Sequence, residues 1–379
     1  MIRRNGAVLL IASVFSTVLL VTTGCSKKSE GKSSSDPVYV GTSFPMTGTI
    51  AADGKLILDA IQLAVDETNG AGGIKGRKIQ LQSEDDGADP STAAAVANKF
   101  ASDSKIVSVV TSYNSSCGLA QIPIYKSVGL TAISPVTTSP AITGISPYYY
   151  RTCNSDAFGG IICAEFCQKL GMKNVYILYE NDDYGMGIEK VYEDKIKSFS
   201  MSVAGIDSFI YGQTKDFSTI ITKIRNAKPD GIMFIGLVTE LGLLMNQSAG
   251  FDCPVFADDG CYSPALIAEN GAAVEKVYSL GPFSVDDPDP KVHKFVTDYE
   301  TKFNGSEPSL WSALAYDAAM TLFEAMKSCT TIDRESINTA MQNISYQGIT
   351  GLNKFVNGDV EKHYSVFQVQ NGKWEKVQQ

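Results

Sequence analysis

The chain has 379 residues and a formal net charge of −9 at neutral pH, from 32 basic and 41 acidic side chains. No basic run occurs beyond the N-terminal region, and binding to nucleic-acid phosphates needs clustered Lys and Arg, so the composition argues against a nucleic-acid partner. Roughly 340 residues follow the N-terminal region, which is enough for two domains.

The first 24 residues have the pattern of a signal peptide. Two arginines precede an apolar run from Ala7 to Val21, which is too short to be a comfortable membrane span. The run ends in VTTGC at residues 21–25, and small residues before a cysteine resemble a bacterial lipobox, although Thr22 stands where Leu or Val is usual. We predict that Cys25 is lipidated. The alternative is an ordinary signal peptide with an incidental cysteine.

A polar linker follows the predicted lipidation site. Residues 26–36 contain no apolar side chain, so this segment cannot bury surface and is predicted to be flexible. Removal of residues 1–24 deletes two arginines and no acid, which changes the charge from −9 to −11. A lipid anchor followed by a linker would hold the folded body outside the cytoplasm, in water beside the cell membrane. No later segment is long and apolar enough to span a bilayer.

The remaining cysteines do not suggest a disulfide framework or a metal site. They are Cys117, Cys153, Cys163, Cys167, Cys253, Cys261 and Cys329. An odd number cannot form a closed set of disulfides, and their apolar surroundings predict small buried thiols. Cys163 and Cys167 share a helix face, but no further ligands are near, so packing is the better interpretation. We predict neither a metal nor a cofactor.

Short β-rich runs alternate with amphipathic stretches from residue 38 onwards. In the first half we predict strands at 38–43, 78–83, 106–110 and 130–134, and helices at 55–69, 90–101 and 119–127. Asp89 is the predicted N-cap of the helix that Pro90 opens. This alternation predicts a parallel sheet with helices on both faces.

The same alternation resumes after Asp156. We predict strands at 175–179, 203–209, 231–235, 255–257 and 276–280, and helices at 158–170, 187–199, 217–226 and 240–249. An acidic, proline-rich loop at 284–290 is expected near a domain crossing, followed by long helices at 290–303 and 310–328. A strand pair at 364–377 would turn at Asn371-Gly372. The predicted fold class is therefore α/β, with two doubly wound units.

Several short segments carry a family resemblance. They are PMTG at 45–48, NGAGGIKG at 69–76, DDGADP at 85–90, SPVTTSP at 134–140, RTCNSD at 151–156 and DDYG at 182–185. In this order and spacing they resemble the leucine/isoleucine/valine-binding proteins, the type I periplasmic solute-binding proteins of ABC importers. Each segment is weak evidence alone, but the resemblance covers nearly the whole mature body.

The resemblance implies two Rossmann-like lobes joined by three crossovers, the type I periplasmic binding protein fold. One lobe would comprise residues 37–156 plus 284–350, and the other residues 157–283 plus 351–379. The ligand would bind in the cleft outside the carboxyl ends of the strands. Closure of the lobes would then bury it by a hinge motion.

A free amino acid needs donors for its carboxylate and an acceptor, preferably anionic, for its ammonium group. Ser115 and Ser116 lie between a predicted strand and a predicted helix, where N–H groups and hydroxyls bind anions. The resemblance implies that Ser115 binds the carboxylate, with Ser116 beside it. The alternative is that these serines only cap the helix.

The loop after the next strand contains Val136, Thr137 and Thr138. The resemblance implies that Thr138 contacts both charged ends of the ligand and that the backbone of Val136 accepts a hydrogen bond from the ammonium group. The alternative is a loop shaped only by its flanking prolines, although loops at strand ends commonly carry function.

The second lobe is expected to contribute Tyr184 and Asp259. The resemblance implies that the Tyr184 ring closes over the ligand and that the Asp259 carboxylate pairs with the ammonium group. The alternatives are a surface tyrosine and a solvated acid pair, and Asp258 could serve in place of Asp259 in the second role.

Two positions depart from the family pattern. Asp53 lies near a position where relatives often have an aromatic residue, and Leu237 stands where relatives often have tyrosine. Leu237 would make the side-chain pocket larger or more apolar, whereas Asp53 would make it partly polar. The ligand's side chain is therefore less well defined than its α-amino-acid head, and an aliphatic, branched-chain side chain is expected.

The sequence has no HExxH, CxxC, GxGxxG, P-loop or GxSxG pattern, so we predict that the protein is not an enzyme. We expect a monomeric, lipid-anchored receptor that delivers an amino acid to the permease subunits of an ABC transporter. The alternative is a sensor of the same fold that binds an amino acid or small amide and acts on a signalling partner. The anchor and the absence of a signalling domain before Gln379 favour transport.

Overall fold

The computed structural model describes residues 36–377. The predicted signal peptide, Cys25 and nearly all of the linker lie outside the described residues. Within residues 36–377, no helix combines the length and the apolar character that crossing a membrane requires.

The described chain alternates strands and helices over most of its length. The strands are β1 (Val38–Phe44), β2 (Ile79–Asp85), β3 (Ile106–Thr111), β4 (Thr131–Ser134), β5 (Tyr149–Arg151), β6 (Asn174–Glu180), β7 (Ser202–Phe209), β8 (Gly231–Ile235), β9 (Val255–Ala257), β10 (Tyr278–Gly281), β11 (Tyr346–Gln347), β12 (Leu352–Asn353), β13 (Ser365–Gln370) and β14 (Lys373–Lys376). The helices are α1 (Ala51–Gly70), α2 (Pro90–Ser102), α3 (Ser115–Ser127), α4 (Asp156–Lys169), α5 (Gly185–Ser198), α6 (Ser218–Ala227), α7 (Val238–Ser248), α8 (Pro264–Asn270), α9 (Pro290–Lys302), α10 (Leu310–Ser328) and α11 (Arg334–Asn343).

Two separate sheets organise the molecule. The first has the order β2-β1-β3-β4-β5 and is parallel throughout. The second has the order β14-β13-β10-β9-β8-β6-β7, in which β13 and β14 are antiparallel to their neighbours. We call each sheet with the helices packed on it the first lobe and the second lobe.

The chain passes between the two lobes three times. It leaves the first sheet after β5, returns after β10 to form α9, α10 and α11, and crosses again between β12 and β13. Helix α10 packs against α1, α11 and β4. It is buried on nearly every side, which explains why its sequence is apolar around the whole helix.

The second sheet is buried on both faces. Leu178 and Phe234 belong to one apolar cluster, and Ile177 and Met233 belong to the cluster on the opposite face. Successive side chains of a strand point to opposite faces, so a parallel strand covered by helices on both sides is apolar at every position. The fold is α/β with two doubly wound lobes, as the sequence predicts.

Most predicted elements are present with shifted ends. Asp89 caps α2, since its carboxylate accepts a hydrogen bond from the Thr92 N–H at 2.7 Å. Helix α1 begins at Ala51, four residues before the predicted start. Gly54 lies in its first turn and packs closely against the backbone of Pro45, because a Cβ atom at this position would lie 1.8 Å from the Pro45 carbonyl oxygen. Five of the described elements were not predicted, because β5, β11, β12 and α8 are short and α11 is largely polar.

The cysteines after residue 36 are all free thiols, and each is buried except Cys253, which is half-buried. The prediction of small buried thiols therefore holds for six of these seven cysteines. Burial is the main cause that raises the pKa of the Cys163 and Cys167 thiols above the ordinary range, and so these side chains remain protonated packing groups.

Candidate ligand-binding site

A small cavity lies between the two lobes, at the carboxyl ends of their strands. Its empty volume, counted together with the open solvent at its mouth, is about 350 Å³. Its walls are formed by Tyr113, Asn114, Ser115, Val136, Thr138, Glu180, Tyr184, Leu237, Asp259, Gly260 and Trp311.

The start of α3 forms one wall. Ser115 is buried and lines the cavity, and its Oγ accepts a hydrogen bond from the Ser139 N–H at 3.2 Å. The N-cap is Asn114, whose side chain makes no capping hydrogen bond, so neither serine acts as the N-cap. Ser116 is half-buried and does not line the cavity. The N–H groups of the first helical turn have no partner within the helix and provide the positive end of the helix dipole.

The loop after β4 presents alternate residues to the cavity. Val136 and Thr138 line it. Thr137 faces the interior of the first lobe instead, where its hydroxyl lies 3.1 Å from the hydroxyl of Tyr149. The contact with Tyr149 turns the Thr137 side chain away from the cavity that its two neighbours line.

Arg151 stabilises this loop through hydrogen bonds to its backbone. Its Nη1 donates to the carbonyl oxygens of Thr137 at 3.1 Å and Ser139 at 2.8 Å. Its Nε forms an ion pair with Asp359 at 2.6 Å, and the arginine side chain is fully buried. A buried guanidinium needs a charged partner and satisfied donors, and Arg151 has both.

Tyr184 connects the cavity wall to the loop that follows β9. Its ring lines the cavity and its hydroxyl donates to the carboxylate of Asp258. Gly260 makes this approach possible, because a Cβ atom there would lie 2.6 Å from the Tyr184 hydroxyl and 2.7 Å from the Gly236 carbonyl oxygen.

Asp259, rather than Asp258, faces the cavity. Its Oδ2 accepts a hydrogen bond from the Tyr364 hydroxyl at 3.0 Å, and burial raises the pKa of Asp259 to about 6. Asp258 is fully buried, and burial together with the charge of Asp259 raises its pKa well above the ordinary value. Asp259 is thus the ionised acid of the pair at neutral pH.

A third acid lies close behind this pair. Asp156 is buried, and its Oδ2 has no hydrogen-bond partner among the described residues. Burial and the charge of Asp259 raise the pKa of Asp156 well above its ordinary value. The second lobe therefore concentrates acidic groups next to the cavity, which favours binding of a positively charged group at this end of the cavity.

The two positions that depart from the family pattern behave differently. Leu237 lines the cavity. Asp53 does not, and its Oδ2 instead accepts a hydrogen bond at 3.2 Å from the hydroxyl of Tyr113, which does line it. Burial raises the pKa of Asp53 to about 6. The hydrogen bond to Tyr113 connects Asp53 to the cavity wall.

The structure brings together most of the predicted site residues and adds others. Ser115, Val136, Thr138, Tyr184, Leu237 and Asp259 share the cavity, whereas Ser116, Thr137 and Asp53 lie outside its lining. The strand-end rule would also have found Tyr113, Asn114 and Glu180. Trp311 has no such local signal, because α10 reaches the cavity only after the second passage between lobes.

These features define a class of protein: a bilobed α/β protein with a small cavity between its lobes, lined by both polar and apolar residues. Residues 37–373 match the family model described as periplasmic binding protein. The chain belongs to this family, in its type I form.

Two curated relatives match most of the chain. A protein of Brucella abortus (strain 2308), Leu/Ile/Val-binding protein homolog 2, is 30% identical over 324 residues, covering 84% of this chain and 85% of the relative. The leucine-, isoleucine-, valine-, threonine- and alanine-binding protein of Pseudomonas aeruginosa is 27% identical over 320 residues, covering 83% of this chain and 85% of that protein. Both are named as binding proteins and not as enzymes.

Solved structures agree in fold over nearly all of the described chain. The leucine-binding protein LivK from Thermotoga maritima has a TM-score of 0.84 at 28% identity, covering 90% of this chain and 98% of that chain. The branched-chain amino acid transporter substrate-binding protein LivJ from Streptococcus pneumoniae, in complex with isoleucine, has a TM-score of 0.82 at 28% identity, covering 90% of this chain and 99% of that chain.

Proposed function

We propose that this protein is an extracytoplasmic receptor that binds a free amino acid between its lobes and delivers it to the permease subunits of an ABC importer. The observation that carries the proposal is the pairing, across one small cavity, of Ser115 at a helix start with the buried acid Asp259. The names of the relatives and the isoleucine in the Streptococcus structure support an amino-acid ligand.

In this proposal the first lobe binds the ligand's carboxylate. The hydroxyl of Ser115 donates one hydrogen bond, and the N–H groups of the first turn of α3 supply further donors at the positive end of the helix dipole. No Lys or Arg side chain lines the cavity along the described residues. Neutral donors and the dipole therefore hold the carboxylate.

The ammonium group binds at the opposite end. The ionised carboxylate of Asp259 supplies the counter-charge, and the carbonyl oxygen of Val136 and the hydroxyl of Thr138 accept further hydrogen bonds. Tyr184 and Trp311 enclose the ligand between the lobes, with Leu237 beside its side chain. The relatives' names make the branched-chain amino acids the first candidates.

The lobe boundaries and the anchor complete the proposal. We propose the lobe boundaries expected from the sequence, 37–156 plus 284–350 and 157–283 plus 351–379, adjusted at two points: Asp156 begins α4 of the second lobe, and the third passage falls between β12 and β13. Closure would occur about the three passages between the lobes. Lipidation of Cys25 would keep the monomeric receptor at the outer face of the cell membrane, beside its permease.

A thermal-unfolding screen of the purified protein tests this function. Each free amino acid is added, together with small amides and urea, and the unfolding midpoint is measured. A ligand that binds only the folded state at a concentration of about 100 times its Kd adds about 2.7 kcal/mol to the free energy of unfolding. A rise in the midpoint with at least one amino acid is expected. The proposal fails if none produces a rise.

A further inference from the structure

One cavity residue has a carboxyl group without a hydrogen-bond partner. Glu180 ends β6, is 2% exposed and lines the cavity. Its Oε2 is fully shielded from solvent and has no hydrogen-bond partner in the described part of the chain. A buried polar group without a partner destabilises the unliganded protein, so a hydrogen-bond partner supplied by the ligand would remove that penalty.

The electrostatic surroundings of Glu180 are acidic. Burial raises the pKa of Glu180 to about 9, and the charges of Asp182 and Glu240 act in the same direction. Asp182 accepts hydrogen bonds from the N–H groups of Tyr184 and Gly185, and Glu240 accepts one from the Gly212 N–H at 3.0 Å. The neighbouring acids are therefore at least partly satisfied, whereas Glu180 is not.

Glu180 lies on the far side of the cavity from the proposed ammonium site. Asp259 follows β9 and Glu180 ends β6, and β8 lies between these two strands in the sheet. Strands two places apart are about 10 Å apart. An amino acid with its ammonium group at Asp259 would therefore extend its side chain past Leu237 towards Glu180.

A second residue of the cavity lining also has an acceptor atom without a hydrogen-bond partner in the described chain. The Oδ1 of Asn114 is shielded from solvent and has no hydrogen-bond partner within residues 36–377. The carboxyl of Glu180 and the amide of Asn114 thus leave two acceptor positions for a bound molecule. A branched aliphatic side chain would leave both unsatisfied, and a site with unsatisfied buried polar groups discriminates strongly against an apolar ligand.

We propose that the ligand is an amino acid whose side chain carries a nitrogen hydrogen-bond donor, and that this nitrogen binds the carboxyl group of Glu180. The inference rests on the proposed function and replaces the branched aliphatic side chain as its expected ligand class. An ammonium group would displace the proton of Glu180 to solvent and form an ion pair. A neutral amide would pair with the protonated acid, because each of the two groups offers one donor and one acceptor.

Isosteric ligand pairs test the inference directly. Calorimetric titrations at neutral pH compare leucine with asparagine, methionine with glutamine, and norleucine with ornithine. In at least one pair the nitrogen-bearing member is expected to bind about tenfold more tightly, or better, because a hydrogen bond to a charged or acidic group contributes about 1.5–3 kcal/mol. Titrations in buffers with different ionisation enthalpies distinguish an ammonium side chain from an amide side chain. Only binding of the ammonium group releases the proton of Glu180 to the buffer.

Variants of Glu180 test whether this residue causes the preference for nitrogen-bearing ligands. Glu180→Met keeps the length of the side chain but removes the acceptor, and the preference is expected to disappear. If this variant does not fold, Glu180→Gln, which cannot ionise, is expected to lose the preference for ornithine. Glu84→Gln is the control, because Glu84 pairs with Lys99 at the surface of the first lobe, and it is expected to keep the wild-type preference.

The outcomes separate this inference from the proposed function. Binding in which the apolar member of every pair is at least as tight as its nitrogen-bearing isostere overturns the inference and leaves an amino-acid receptor. A preference that survives both Glu180 variants also overturns it. The absence of binding by any amino acid overturns the proposed function and this inference with it.

Discussion

The hydroxyl of Tyr364 donates a hydrogen bond to Asp259 over 3.0 Å, and both side chains are buried. Tyr364 directly precedes β13, after the third passage between lobes, whereas Asp259 follows β9. The contact orients the carboxylate so that Asp259 lines the cavity. It also stabilises the ionised form of Asp259, since a hydrogen bond to a carboxylate lowers its pKa.

Removal of that hydrogen bond should weaken ligand binding at mildly acidic pH. In Tyr364→Phe the pKa of Asp259 is expected to rise above its value of about 6, because burial would act without the opposing hydrogen bond. The pH below which affinity declines should move upwards in calorimetric titrations. An unchanged pH profile would mean that Tyr364 has no influence on the ionisation of Asp259.

The two ends of the proposed ligand site can be tested separately. Ser115→Ala and Asp259→Ala should each weaken binding by roughly 2–4 kcal/mol, because each leaves a buried ligand charge without its partner. Ser116→Ala is the matched control, since Ser116 does not line the cavity, and its affinity should match that of the wild type. Unchanged affinity in both Ser115→Ala and Asp259→Ala would show that the ligand binds elsewhere.

The unliganded protein should become more stable as Asp259 and Asp53 are protonated. Burial raises both pKa values from 3.8 to about 6, so between these values the folded state binds more protons than the unfolded state. The contribution of these groups to stability therefore falls as the pH rises from about 4 to about 6. Ligand affinity should change in the opposite direction, because the ammonium group needs the ionised form of Asp259.

Denaturant unfolding of the wild type and Asp259→Asn at several pH values measures this effect. The difference in unfolding free energy between the two proteins should change by on the order of 2 kcal/mol between about pH 4 and pH 7. A difference that is constant over this range would contradict a raised pKa for Asp259.

Loss of the buried guanidinium of Arg151 should destabilise the protein. Arg151→Met leaves Asp359 and the carbonyl oxygens of Thr137 and Ser139 without their donor, at a cost of about 3–5 kcal/mol in unfolding free energy. Lys99→Met is the comparison, because it breaks only the surface pair with Glu84 and should cost less than about 1 kcal/mol. Equal losses in the two variants would exclude a special structural role for Arg151.

Lipidation of Cys25 predicts a change in how the protein partitions. The wild type expressed in a bacterium should enter the detergent phase in a phase-separation assay, whereas Cys25→Ser should remain in the aqueous phase, because one acyl chain contributes about 0.8 kcal/mol per buried methylene group. Mass spectrometry of the N-terminal peptide would identify the lipid. Aqueous partitioning of both proteins would favour the ordinary signal peptide.

The sequence by itself determined the alternation of strands and helices, the two-lobe α/β class and the loops that form the site. These follow from local properties: apolar periodicity, capping residues such as Asp89, and the rule that parallel sheets bind ligands at the carboxyl ends of their strands. The strand ends indicated which loops form the site, and the resemblance to the leucine/isoleucine/valine-binding proteins singled out Ser115, Thr138 and Asp259 within them.

Only the tertiary structure decided which side chains of these loops face the cavity. Thr137 points away because Tyr149 and Arg151 hold it within the first lobe, and Asp53 lies outside the lining but bonds to Tyr113, which belongs to it. Trp311 arrives from a distant helix. Glu180 becomes notable only when its burial and its missing partner are known. Such facts depend on packing between segments far apart in the chain, which local sequence patterns do not encode.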